Sequence, residues 1–181
     1  MAAMDGRDSL DMDDKALLAQ CDVHTYKSSG PGGQHRNKVS SAVRLRHKPT
    51  GITTHGDQSR SQHENKQLAL QRLRMNLACT LRRRVDPAAP PPPTVCECLF
   101  TARGGPGADR LRLQVGRRDR RYWPVAAYLL DVLDHYEGRL ADAAAHVGIS
   151  TGNLVGLLEQ ERHALIAAQA IRKAHGQRPL M

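Results

Sequence analysis

Residues 29–38 read Ser-Gly-Pro-Gly-Gly-Gln-His-Arg-Asn-Lys, and the triplet Gly32-Gly33-Gln34 is the part of this chain best suited to chemistry. Two consecutive glycines open backbone conformations that a residue with a Cβ does not reach. They also let amide N–H groups press against a ligand with no side chain between. Gln34 adds a carboxamide that donates and accepts hydrogen bonds but does not ionise. Arg36 and Lys38 stand beside it. Such a loop suits a crowded, polyanionic site better than a plain strand connection.

A loop of this kind needs elements that hold both its ends. Residues 21–27 alternate as a strand does, with Val23 and Thr25 on one side and His24 and Tyr26 on the other. Residues 43–47 form a cleaner strand, Val43 and Leu45 facing in and Arg44 and Arg46 facing out. Pro49-Thr50-Gly51 reads as a tight turn and residues 52–55 as the returning strand of a hairpin. A helix then starts with Ser61 as N-cap and Glu64 three residues on, the spacing of a capping box. Leu70, Leu73, Leu77 and Leu81 make its apolar stripe, with Lys66, Arg72, Arg74 and Arg82 mostly elsewhere.

The chain has 181 residues, 40% hydrophobic but only 3% aromatic, so a core must be built from Leu, Val, Ile and Ala. Its formal charge of +9 points to a polyanionic partner. That charge is uneven. Residues 1–20 carry a net −3, whereas residues 24–84 carry thirteen Lys/Arg against Asp57 and Glu64, a net +11. Cys21, Cys79, Cys96 and Cys98 lack zinc-ligand spacing and read as reduced thiols, so no metal is expected. No apolar run reaches the ~20 residues of a membrane span. The acidic start fits neither a secretory signal nor a transit peptide. The expectation is a soluble, cytoplasmic protein with no membrane contact.

Residues 26–81 resemble the catalytic domain of class I peptide chain release factors and their ribosome-rescue relatives. The resemblance runs through Ser28-Ser29-Gly30-Pro31-Gly32-Gly33-Gln34-His35, Asn37-Lys38, Ser41-Ala42-Val43-Arg44 and Pro49-Thr50-Gly51-Ile52. It continues through Gln58-Ser59-Arg60-Ser61-Gln62-His63 and Asn65-Lys66. What it implies is hydrolysis of the ester between nascent peptide and tRNA, in the peptidyl-transferase centre of the large ribosomal subunit. Gly32, Gly33 and Gln34 would be catalytic, and Gln34 would also be a site of N5-methylation. His35, Arg36, Asn37, Lys38, Arg44, Arg60, Gln62, Lys66 and Arg72 would contact ribosomal RNA or support the loop. The family commonly has an apolar residue, often Val, where Arg36 stands. Arg36 then either points to RNA or alters the packing of the loop. No metal or cofactor is implied, and the partners are the ribosome and peptidyl-tRNA, met by a monomer.

The expected fold class is α+β. An acidic, flexible leader (1–20) precedes a small mixed-sheet domain with a long C-terminal helix (21–85). A stiff Pro-rich linker (86–94) follows, then a mainly helical domain (95–181). Residues 95–110 resist assignment, residues 111–115 suit a short strand, and residues 117–121 are a basic turn. Helical spacing covers residues 125–136, and about 139–160 fits a helix-turn-helix pattern through Ala144, Gly148, Ile149, Leu154 and Leu157. A last helix spans residues 161–175. Asn153, Arg162, Arg172 and Lys173 are the candidate contacts of a nucleic-acid or ribosome docking module, against a plain self-packing bundle.

Only about twenty residues precede the first strand, too few for a codon-reading domain, and the C-terminus has no Lys/Arg-rich tail. The reading is therefore codon-independent peptide release in ribosome rescue. Its alternatives are a non-catalytic ribosome- or RNA-binding protein and a helix-turn-helix regulator.

Overall fold

The structure, a computed structural model, describes residues 6–27, 41–103 and 109–180. Contacts group the chain into two units, Met1–Leu77 and Ala78–Met181. That division falls ahead of the Pro-rich stretch where the composition changes.

The first unit is built on a three-stranded sheet of β1 (Cys21–Tyr26), β2 (Ala42–His47) and β3 (Thr53–Gly56), in that spatial order. Both strand pairs are antiparallel, so the sheet is not mixed as the sequence suggested. The short β2–β3 connection allows no other arrangement, because parallel neighbours need a long crossover. Along β2 the residues alternate: Val43, Leu45 and His47 are buried while Arg44 and Arg46 are exposed. The inner residues meet α2 (Gln62–Thr80), whose Ala69, Leu70, Leu73 and Leu77 are buried at helical spacing. Thr54 joins the layers, its hydroxyl donating to the Ala69 carbonyl at 2.9 Å.

Two expectations for α2 change. The helix ends at Thr80, because Arg82 folds back and donates to the carbonyls of Ala78 (3.1 Å) and Cys79 (2.7 Å). A cation at that end also interacts favourably with the helix dipole. Leu81 thus lies beyond the helix. Arg74 is not on a solvated face either: it is buried and donates to the carbonyls of Leu10 (2.9 Å) and Met12 (2.7 Å) and to the Asp14 carboxylate (3.0 Å).

Those contacts explain the leader, whose charge had suggested a flexible arm. Asp8–Leu10 form a 3-10 turn and Asp14–Ala19 form α1, capped by Asp13 accepting from the Ala16 N–H at 2.7 Å. Leu10 and Leu17 are buried in the core of the first unit. Charge dominated the sequence reading, but two leucines seven residues apart and one arginine partner decide the packing.

The second unit centres on α4 (Tyr122–His135), which buries Val125, Leu129, Leu130 and Leu133. Around it lie α5 (Leu140–Val147), α6 (Thr151–Leu158) and α7 (Arg162–Ala174), close to the expected helices. Gly148 joins α5 to α6 at φ +80°, a left-handed conformation that L side chains rarely adopt. Ser150 then caps α6 by accepting from the Asn153 N–H at 3.1 Å. Pro92 is extended (φ −53°, ψ 150°) and Pro93 opens the short helix α3 (Pro93–Cys96). Strands β4 (Leu99–Arg103) and β5 (Asp109–Leu113) form an antiparallel hairpin. β4 escaped the sequence reading because only five residues alternate, beside a Gly-rich segment. Among the described residues no helix is long and apolar enough to cross a membrane.

Candidate functional site

Register pairs Tyr26 at the end of β1 with Ala42 at the start of β2, so both ends of the intervening loop leave one edge of one strand pair. Gly32, Gly33, Gln34, His35, Arg36, Asn37 and Lys38 lie between them, outside the described residues. What the structure describes is the frame that carries this loop.

Asn65 is the centre of that frame. It is 1% exposed, and its carboxamide makes three hydrogen bonds. Oδ1 accepts from the Ser59 N–H at 2.9 Å, while Nδ2 donates to the carbonyls of Ser59 (2.7 Å) and Ser41 (2.8 Å). One N–H and two carbonyls around it settle which end is oxygen. Ser41 ends the loop, so one buried side chain ties the loop base to α2 and to the β3–α2 connection. Gly56 makes this possible. A Cβ there would sit 1.9 Å from the Asn65 backbone oxygen, so only glycine lets β3 approach α2 this closely.

The start of α2 is fixed by the same residues. Ser61 Oγ accepts from the Glu64 N–H at 3.3 Å, one half of the expected capping box. The other half runs through Ser59, whose Oγ accepts from the Ser61 N–H at 3.0 Å and bonds the Glu64 carboxylate. Arg60 and Gln62 stay exposed beside this network, and Lys66 is half-buried one turn further on.

The sheet face away from α2 is polar and cationic. His24, Arg44 and His55 occupy one row across the three strands, with Arg46 two residues along β2. The Tyr26 hydroxyl lies 3.3 Å from His55 Nδ1, and the two rings meet edge to face. Arg72 donates to the His55 carbonyl at 2.6 Å, so it braces the end of β3 as well as adding charge. The frame thus brings Arg44 and Arg72 to the same strand end, while Arg60, Gln62 and Lys66 gather at the start of α2.

Sequence reasoning missed Asn65 as the organising residue, although it stands in the quoted motif. It also missed His47, which is fully buried. Its Nε2 faces the Gln20 carboxamide oxygen at 3.1 Å and Nδ1 faces the Thr50 hydroxyl at 2.8 Å. The oxygen can only accept, so Nε2 carries the proton and Nδ1 accepts from Thr50. Burial holds the His47 pKa below its ordinary 6.5.

In the second unit the candidate contacts divide. Arg162 and Lys173 are exposed. Arg172 is buried and donates to the carbonyls of Gly138 and, at 2.8 Å, Arg178. Asn153 grips Leu113 of β5 from both sides: Oδ1 accepts from its N–H at 2.8 Å and Nδ2 donates to its carbonyl at 2.9 Å. Helix α6 itself carries no Lys or Arg. Both residues therefore hold the unit together, because buried backbone groups need partners before a ligand does. His146 is likewise internal, with the hydroxyls of Tyr128 and Tyr136 at 3.2 and 3.3 Å from its two nitrogens and a pKa lowered by burial.

Comparison with known proteins agrees with this frame. Residues 13–90 match the family described as RF-1 domain. Peptide chain release factor 1 of Rickettsia rickettsii is 33% identical over 154 residues, covering 83% of this chain and 37% of that protein. Peptide chain release factor 2 of Borreliella burgdorferi is 54% identical over 55 residues, covering 30% of this chain and 15% of its own length. The same-named protein of an Acidovorax species is 58% identical over 53 residues, covering 29% and 14%. The chain thus spans well under half the length of these relatives. The matched residues contain the Gly-Gly-Gln loop, its antiparallel frame and the Asn65 tie, and residues 13–90 belong to the class I release factor GGQ domain family.

Proposed function

We propose that this chain hydrolyses the ester joining a nascent peptide to tRNA on the ribosome, without reading a stop codon. The observation that carries the reading is the anchored loop base, with Tyr26 paired to Ala42 and Ser41 tied to Asn65. It gives the Gly32-Gly33-Gln34 loop a rigid support from which to enter a confined site.

The chemistry follows from those residues. Water attacks the ester carbon, and negative charge develops first on the carbonyl oxygen. The C–O bond to the ribose then breaks, and the ribose oxygen leaves with a proton. A backbone N–H aimed at the developing charge in a water-poor site is worth about 3–4 kcal/mol. Gly32 and Gly33 allow the Gln34 N–H to take that position, and the Gln34 side chain orients water and excludes larger nucleophiles. N5-methylation of Gln34 would trim its donor capacity at the same place. Arg44, Arg60, Gln62, Lys66 and Arg72, with His35, Arg36, Asn37 and Lys38, would hold ribosomal RNA phosphates by charge-assisted hydrogen bonds.

A role as a helix-turn-helix regulator is disfavoured by Asn153 and by an α6 without cations. The test is peptide release from ribosomes stalled on mRNA truncated at its 3′ end. Release is expected there without a stop codon. Gly33→Ala should lower the rate about a hundredfold or more, in line with loss of one positioned donor. Gln34→Ala, which keeps the N–H, should lower it less. Normal release by the Gly33→Ala protein would sink the mechanism.

A further inference from the structure

Phe100 is the only phenylalanine of the chain, and it is 53% exposed on the outer face of the β4–β5 hairpin. Its register partner on β5 is Arg112, and residues directly opposite in an antiparallel pair stand side by side on one face. Gln114, two residues along, shares that face. Its N–H donates to the Cys98 carbonyl at 2.9 Å, which carries the same register one step past the strand. A flat ring flanked by a guanidinium and a carboxamide is thus presented to solvent from a paired backbone.

The charge continues beyond the strand. Arg117, Arg118 and Arg120 are exposed in the turn that follows. Glu97 and Asp119, the acids beside them in sequence or across the hairpin base, are both engaged by Arg121. The Asp119 carboxylate is held at 2.7 Å, which brings its pKa down to about 2, and Glu97 lies at 3.7 Å. The four arginines of residues 117–121 outnumber these two acids, so the turn stays cationic. Arg112 and Gln114 also edge a groove of about 880 Å³, whose opposite wall includes Gly152 and Gly156 of α6. A Cβ at either glycine would meet nothing within 4 Å, so that wall is open backbone.

We propose that this face of the second unit binds single-stranded RNA, with a base stacked on Phe100 and the strand's phosphates on Arg112 and the Arg117–Arg118–Arg120 turn. A ring beside cations is the arrangement that holds unpaired bases, whose π-faces stack while the backbone follows positive charge. An apolar peptide on this face would meet Arg112 and Gln114 beside the ring, since Leu111 lies on the opposite face of β5. A duplex hides its base faces from the ring. The choice of RNA over DNA rests on the ribosomal reading of the first unit; the stacking surface itself does not.

The experiment is fluorescence anisotropy of the full chain with a labelled oligouridylate of about ten nucleotides. No ribosome is present, so a failed release assay and a failed binding assay are separate results. Phe100→Ala should weaken binding about fivefold to a hundredfold, the cost of one lost base stack. Phe100→Tyr should bind like the original chain. Replacing Arg117, Arg118 and Arg120 together by Gln should reduce the slope of log affinity against log salt by about two. The thermal midpoints should stay within a few degrees, since all four side chains are exposed. Unchanged affinity in the Phe100→Ala chain would overturn the proposal, as would full binding by Phe100→Leu, which keeps apolar bulk but no ring. Equal or tighter binding of oligothymidylate would overturn the assignment to RNA. Displacement of the RNA by polyglutamate at equal charge concentration would overturn it in favour of an acidic protein partner.

Discussion

Asn65 in the first unit and Asn153 in the second each bridge the N–H and the C=O of a single backbone residue, Ser59 and Leu113 respectively. In both places a carboxamide on a helix acts as one residue's worth of extra strand. The difference lies in what else each one touches. Asn65 is almost fully buried and has a third bond, to the Ser41 carbonyl where the Gly-Gly-Gln loop rejoins the sheet. Asn153 is half-exposed, and among the described residues its side chain bonds only Leu113. The same chemical device therefore serves a loop base in one unit and closes a hairpin onto a helix in the other. Residue type and local spacing do not distinguish the two; depth and the third partner do.

Removing each side chain should separate the two roles. Asn65→Ala leaves one donor and two acceptors without their partner, and each such group costs about 1–3 kcal/mol. We expect the first unit to lose about 3 kcal/mol in urea unfolding and peptide release to fall with it. Asn153→Ala leaves two groups without their partner, the N–H and C=O of the buried Leu113, so the loss should be about 2 kcal/mol, with release on stalled ribosomes unchanged. Equal losses at the two positions would erase the distinction drawn from the third bond.

The smallest effect concerns acid. His47 in the first unit and His146 in the second are both kept neutral by burial, with their pKa values below the ordinary 6.5. Their unfolded counterparts take up a proton first as pH falls. Stability from each is thus fully present above about pH 6.5 and is lost as pH drops through the folded value. Midpoint temperatures measured across pH 4–8 should fall on the acid side. His47→Gln and His146→Gln should each flatten that fall, His47 through the first unit's transition and His146 through the second's. A slope indifferent to both substitutions would remove the histidines from the account.

Much of the first unit was legible before the structure. Alternation in β2, the turn at Gly51, the Ser61–Glu64 spacing and the leucine stripe are local signals, and local physics decides them. The motif blocks made the family readable as well, since residues that touch a common partner recur in order. Arg74, Asn65 and Asn153 were misread or passed over for one reason. Each has its partner far away in sequence, at Leu10, Ser41 and Leu113, and nothing at the residue itself announces that partner. Charged and polar side chains read as solvent-facing until a buried carbonyl is shown beside them.

The sequence by itself determined where most elements lie, though not β4 or the turns of the leader, because hydrophobic period, capping residues and turn glycines act over a few residues. It also determined the chemistry on offer at Gly32, Gly33 and Gln34. Only the tertiary structure decided that an acidic leader packs on a basic helix, that Gly56 must lack a Cβ so that β3 meets Asn65, and that the supposed recognition residue of α6 holds a strand. These are questions of which buried backbone group lacks a partner, and that is known only when the chain has come together.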